Sequence, residues 1–162
     1  MTDTELDTLA QQVGQALGAR RWQLATAESC TGGWIAEAVT AIGGSSAWFD
    51  RGFVTYSNEA KIDMLGVSAH TLATQGAVSE ATVREMAAGA LDRSIATVAV
   101  AVSGIAGPSG GSPAKPVGTV CIGWALRAGE QSALTLHFAG DRSAVRRQTV
   151  IRALQGVLAL AH

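Results

Sequence analysis

Ile95-Ala96-Thr97-Val98-Ala99-Val100-Ala101-Val102 decides the fold of this 162-residue chain. Valines at 98, 100 and 102 alternate with alanines at 99 and 101, a period of two that reads as a strand. Both alternating sets are apolar, so the strand is expected to be buried on both faces, inside a sheet covered on two sides. Cover of that kind calls for helices, and the flanking sequence supplies them. Upstream, Ser79 caps a helix over about residues 80–93, with Val83, Met86, Ala90 and Leu91 on one face. Ser68 opens a shorter helix over 69–74, and Asn58 caps another over 59–65 that Gly66 stops. Further upstream lie a strand over 51–56, a helix over 32–42 closed by Gly43-Gly44, a strand over 22–27, and a first helix over about 3–19. That first helix opens on a capping box, Thr2-x-x-Glu5, and carries Leu6, Leu9, Val13 and Leu17. Downstream, 117–126 and 132–138 form a hairpin around Arg127-Ala128-Gly129-Glu130, and Asp141 caps a final helix with Val150, Leu154, Val157 and Leu158 as its stripe.

The order is therefore α β α β α α α β β β α, which predicts one layered α/β domain over residues 1–162 with a mixed sheet. Apolar residues make up 48% and charged residues 15%, a balance that excludes disorder. Ten arginines and two lysines against thirteen acids give a net charge of −1, which argues against nucleic acid as a partner. No apolar run is long enough to span a bilayer. The acidic start, Thr2-Asp3-Thr4-Glu5, is the opposite of a signal peptide. Cys30 and Cys121 fall on separate elements, so reduced thiols and a cytoplasmic location are expected. Trp34, Trp48 and Phe49 are expected to form an exposed apolar patch at a subunit interface, and a homodimer follows from that expectation.

Chemistry gathers in three segments. Thr26-Ala27-Glu28-Ser29-Cys30-Thr31-Gly32-Gly33 lies where a strand gives way to a helix. Ser29 or Thr31 there is either a helix cap or, for Ser29, a nucleophile beside oxyanion-stabilising N–H groups. Gly32 and Gly33 favour a site, since a cap needs no glycines in a first turn where each costs up to about 1 kcal/mol. Tyr56, the single tyrosine, stands five positions before Lys61, one of two lysines. A desolvated lysine can act as a base where arginine cannot, and the tyrosine offers a hydroxyl relay or a stacking ring. The alternatives are a solvated lysine and a core-edge tyrosine. Third is the loop Ser103-Gly104-Ile105-Ala106-Gly107-Pro108-Ser109-Gly110-Gly111, placed at the carboxyl end of the core strand where ligands collect in open α/β sheets. It matches neither a Walker A motif nor G-x-G-x-x-G. Arg146, early in the last helix, could grip a phosphate, or simply face solvent. His70, His137 and His162 are too dispersed for a metal site or a Ser-His-Asp triad.

Taken with Gly52-Phe53-Val54-Thr55-Tyr56-Ser57-Asn58, Gly76-Ala77-Val78-Ser79-Glu80 and Lys115-Pro116-Val117-Gly118-Thr119-Val120, these segments resemble the CinA C-terminal domain family across the whole chain. The match is to its stand-alone nicotinamide mononucleotide (NMN) amidohydrolases, the PncC type. The resemblance implies a three-layer α/β/α domain that hydrolyses the carboxamide of NMN to nicotinic acid mononucleotide and ammonia, in pyridine-nucleotide recycling, with no metal and no cofactor. The N-terminal domain of longer CinA proteins, and its ADP-ribose pyrophosphatase activity, are not expected. The mechanism expected is a Ser–Lys one: Ser29 as nucleophile, Lys61 as neutral base, and Lys61 or Tyr56 returning the proton. The amides near Thr31, Gly32 and Gly33 would hold the oxyanion, while Ser103, Gly104, Gly107 and Arg146 would bind the rest of the substrate. The rival expectation is a non-catalytic nucleotide-binding or competence-associated partner protein using the same loops.

Overall fold

A computed structural model describes residues 3–162. The elements run α1 (Thr4–Arg20), β1 (Leu24–Glu28), α2 (Trp34–Thr40), β2 (Phe49–Val54), α3 (Asn58–Leu65), α4 (Ala69–Gln75), α5 (Glu80–Asp92), β3 (Val98–Gly104), β4 (Thr119–Leu126), β5 (Gln131–His137) and α6 (Arg142–Ala161). Apart from an added short helical turn at Ser45–Ala47, this is the order read from the sequence. Boundaries differ by up to three residues. β3 starts at Val98 and not Ile95, because the N–H groups of Thr97 and Val98 both donate to the Gln23 carbonyl, and Ile95 is exposed. Thr2 lies outside the described residues; α1 is capped instead by Asp3, whose carboxylate accepts from Leu6 N–H at 3.2 Å. The cap of α3 is Ser57 rather than Asn58, with its hydroxyl accepting from Ala60 N–H at 3.0 Å.

The five strands lie in the order β2-β1-β3-β4-β5. β1 is parallel to both neighbours, while β3, β4 and β5 run antiparallel, so the sheet is mixed. Alternation sorts the side chains into two cores. Leu24, Val98, Val100, Val102, Val120 and Ile122 pack with α1, α2 and α6. Ala25, Ala27, Ala99, Ala101, Cys121 and Ala125 pack under α3, α4 and α5. The domain therefore has three layers.

Small side chains on the second face let helices approach closely. Gly123 of β4 lies where a Cβ would come within 2.9 Å of the Val83 carbonyl of α5, and Gly89 of α5 sits against the Leu65 carbonyl at the end of α3. The first face is filled by bulk. The Trp124 indole lies over Gly156 of α6 and donates to the Ala153 carbonyl at 3.1 Å. Trp48 lies over Gly14 of α1, where a Cβ would meet its ring at 2.6 Å. That contact corrects the expected exposed patch: Trp48 is buried, and Trp34 and Phe49 are half-buried against the same core. Among the described residues no helix is long and apolar enough to cross a membrane.

Candidate active site

Successive residues of a strand point to opposite faces, and at the end of β1 this separates two roles. Glu28 turns toward α2 and is buried. Its carboxylate accepts from Thr31 Oγ1–H at 2.5 Å, Ile35 N–H at 2.8 Å and Ala36 N–H at 3.0 Å. It thus does for α2 what a cap does, since Gly33 at the cap position has no side chain to offer. Ser29 turns the other way, toward α3–α5, and meets Lys61.

Lys61, on α3, is 1% exposed. Its Nζ lies 2.9 Å from Ser29 Oγ, 2.8 Å from the Thr55 carbonyl and 3.2 Å from the Tyr56 carbonyl. No carboxylate among the described residues pairs with it. Burial lowers its pKa below that of an ordinary lysine, and the neighbouring Cys30 opposes the shift. A neutral amine has two N–H groups and one lone pair. Here Lys61 Nζ donates to both carbonyls and to Ser29 Oγ, while Ser29 Oγ–H reaches the Tyr56 carbonyl at 3.4 Å; in the neutral amine the lone pair would take the place of the N–H that faces the hydroxyl. The hydroxyl and the amine are thus in contact, with geometry for proton transfer.

The pair opens into a cavity of about 250 Å³ lined by Ser29, Cys30, Tyr56, Lys61, Ala77, Val78, Ser103, Gly104, Ala106 and Arg142. A larger groove of about 570 Å³ between the ends of α1 and α6 contains no nucleophile–base pair. Cys30 is buried, its thiol pushed up to about 12 chiefly by desolvation, so it stays protonated and unreactive at neutral pH. Ser103 is buried at the cavity wall, and its hydroxyl makes no hydrogen bond to a described residue.

Other expected site residues take different positions. Tyr56 is 64% exposed and its hydroxyl lies 3.4 Å from Arg142; what reaches the Ser–Lys pair is its main-chain carbonyl. Thr31 is fully buried, outside the cavity lining, and its hydroxyl donates to Glu28. The Gly32 N–H is engaged by the Ser29 carbonyl at 3.1 Å, and neither Gly32 nor Gly33 lines the cavity. Their φ values of +61° and +108° explain the glycines as a left-handed turn that brings the chain into α2. Gly107, also at positive φ, packs on Val117 and offers its carbonyl to Arg142. Arg146 lies outside the cavity: its guanidinium donates to the carbonyls of Cys30 and Thr31 at 3.1 and 3.0 Å and fastens the Ser29 loop to α6. Arg142, one turn earlier, is the arginine at the cavity wall. Helical spacing allows either residue to face the loop, so the sequence could not choose between them. The role of Glu28 was also missed, although a carboxylate just before a Ser/Thr-Gly-Gly turn is a legible capping signal.

Known proteins match the whole chain. A nicotinamide-nucleotide amidohydrolase PncC from Escherichia coli K12 is 61% identical over 155 residues, 96% of this chain and 94% of its own. A protein of the same name from Pseudomonas putida is 54% identical over 158 residues, 96% of each chain. The crystal structure of the competence/damage inducible protein CihA from Agrobacterium tumefaciens superposes with a TM-score of 0.97 at 47% identity, covering 100% of this chain and 99% of its own. The model of the CinA C-terminal domain matches residues 6–161, and this chain belongs to the CinA C-terminal domain family.

Proposed function

We propose that the protein is a nicotinamide-nucleotide amidohydrolase that converts NMN and water to nicotinic acid mononucleotide and ammonia by a Ser–Lys mechanism, in the recycling of pyridine nucleotides. The observation that carries the mechanism is the 2.9 Å contact between Ser29 Oγ and a buried Lys61 Nζ without an acidic partner. Lys61, neutral, takes the Ser29 proton as Oγ attacks the carboxamide carbon. The resulting ammonium returns that proton to the departing nitrogen, and ammonia leaves. Water, deprotonated by the same amine, then hydrolyses the acyl-enzyme and frees Ser29. Two carbonyls hold the amine in place throughout, which favours a fixed proton path over a mobile one. Arg142, with guanidinium N–H groups that no described residue engages, supplies positive charge at the cavity wall for an anionic substrate.

The test is ammonia release from NMN by the purified protein, with and without a chelator, beside Ser29→Ala. Turnover that resists chelation and disappears in Ser29→Ala is expected, with an unchanged thermal midpoint. Binding of NMN without ammonia release would instead establish the non-catalytic reading.

A further inference from the structure

The sheet register places a second hydroxyl beside Ser29. Glu28 pairs with Val102 and Val54 in the ladders on either side of β1. The next rungs continue, with Ser29 N–H donating to the Val102 carbonyl at 3.1 Å and Thr55 N–H to the Glu28 carbonyl at 2.9 Å. Thr55, Ser29 and Ser103 therefore stand side by side at one level, spaced at about the 4.8 Å of neighbouring strands. All three follow residues of the α3–α5 face by two positions: Phe53, Ala27 and Ala101. Lys61 binds on the Thr55 side of Ser29. Ser103 is on the opposite side, buried, lining the cavity, with no described residue hydrogen-bonded to its hydroxyl.

An amide N–H points the same way. Ile105 N–H donates to Thr119 on β4, so by alternation Gly104 N–H points to the other edge, toward β1. There the Ser29 carbonyl is already taken by Gly32 N–H, and no hydrogen bond ties Gly104 N–H to it. Gly104 lines the same cavity, and a Cβ on it would press to 2.7 Å from Val120 and 3.2 Å from the Cys30 thiol.

Resting on the Ser–Lys reading above, we propose that Ser103 Oγ–H and Gly104 N–H form the oxyanion hole, so that the base stands on the β2 side of the nucleophile and the oxyanion donors on the β3 side. The chemistry requires this division. When Ser29 Oγ bonds to the carboxamide carbon, its proton passes to Lys61 and the carbonyl electron pair moves onto oxygen. The nitrogen must then lie near Lys61 to recover that proton as the C–N bond breaks. The oxygen is left facing the other flank, where these two donors lie. This replaces the amides of Thr31 to Gly33 as the oxyanion site, since Thr31 is fully buried and Gly32 N–H is engaged.

Steady-state kinetics with NMN, with the methyl ester of nicotinic acid mononucleotide, and inhibition by the NMN analogue bearing an aldehyde in place of the carboxamide test the assignment. Ser103→Ala is expected to lower kcat about 10²-fold with KM nearly unchanged. It should lower amide and ester turnover alike and weaken the aldehyde, which binds as a Ser29 hemiacetal, by a similar factor. Ser103→Thr, which keeps the hydroxyl, should stay within about tenfold of the parent. Full kcat in Ser103→Ala, a loss confined to KM, a loss confined to the amide, or a Ser103→Thr as impaired as the alanine variant would each overturn it. Ser29→Ala in the same assay separates the two ideas: retained turnover there removes the Ser–Lys reading itself, whatever Ser103 does.

Discussion

The two faces of the sheet are built from different material. One is packed with valine, leucine and two tryptophans whose rings lie on glycines of α1 and α6. The other is mostly alanine, with α3 and α5 drawn in until backbone meets backbone at Gly89 and Gly123. Bulk on the first face contributes burial and seats α6, whose Arg142 and Arg146 reach the site. Close approach on the second face carries Lys61 onto the strand ends and buries its amine beside Ser29. The lesson is that alanine and glycine in this domain set distances, while the larger side chains set stability.

The largest expected effect comes from Lys61→Met. It removes the proposed base and should cost at least about 10³-fold in kcat. The thermal midpoint should not fall, because a buried amine with no counter-ion is replaced by an apolar chain of similar length. A large loss of stability would mean that the alanine face depends on that amine for its fold. Next come two glycines, one per face. Gly89→Ala and Gly156→Ala each force a clash and should each destabilise by about 1–3 kcal/mol. Only Gly89→Ala should also lower kcat, by about tenfold or more, since it displaces the helix that holds Lys61. Equal kinetic damage from both variants would erase the distinction between the faces.

The pH profile sharpens the same contrast. With its pKa lowered by burial, Lys61 should give kcat/KM a rising limb as pH increases through that lowered value, below the usual lysine range. The sign for stability agrees: at low pH the fold bears the cost of a charged buried amine, and that cost is relieved as pH rises from the lowered value toward 10.5. A flat profile from pH 6 to 10 would argue for another base. The smallest effect belongs to the far end of the bulky face, where Arg147 holds Asp3 at 2.7 Å and lowers its pKa to about 2. That contribution is present above pH 3.8 and is lost as pH falls through about 2. Both side chains are about one-third exposed, so Asp3→Asn should cost under about 1 kcal/mol in urea unfolding and leave turnover unchanged.

The fold was legible because its strongest signals are periodic. The valine–alanine alternation of β3 placed that strand at the centre, and caps such as Ser68, Ser79 and Asp141 marked helix starts. Partner choice was not legible. Nothing local says that Trp48 will find Gly14, that Arg146 will bind two carbonyls while Arg142 faces the cavity, or that Tyr56 will bring its carbonyl and not its hydroxyl to the dyad. Those outcomes depend on which helix crosses which strand end. Motif position marked Ser29 and Lys61 for attention, and the contact between them belongs to the assembled sheet.

The pleat of β1 has one more consequence. Glu28 and Ser29 are neighbours in sequence, yet the first is held behind the strand by three donors while the second faces the amine. Were the strand to slip by a single position, the carboxylate would swing round to the lysine, supply the missing counter-ion and fix it as a cation. The acid that builds the turn at Ser29 is thus also the group most able to poison Lys61 as the proposed base, and one peptide unit of register keeps the two apart.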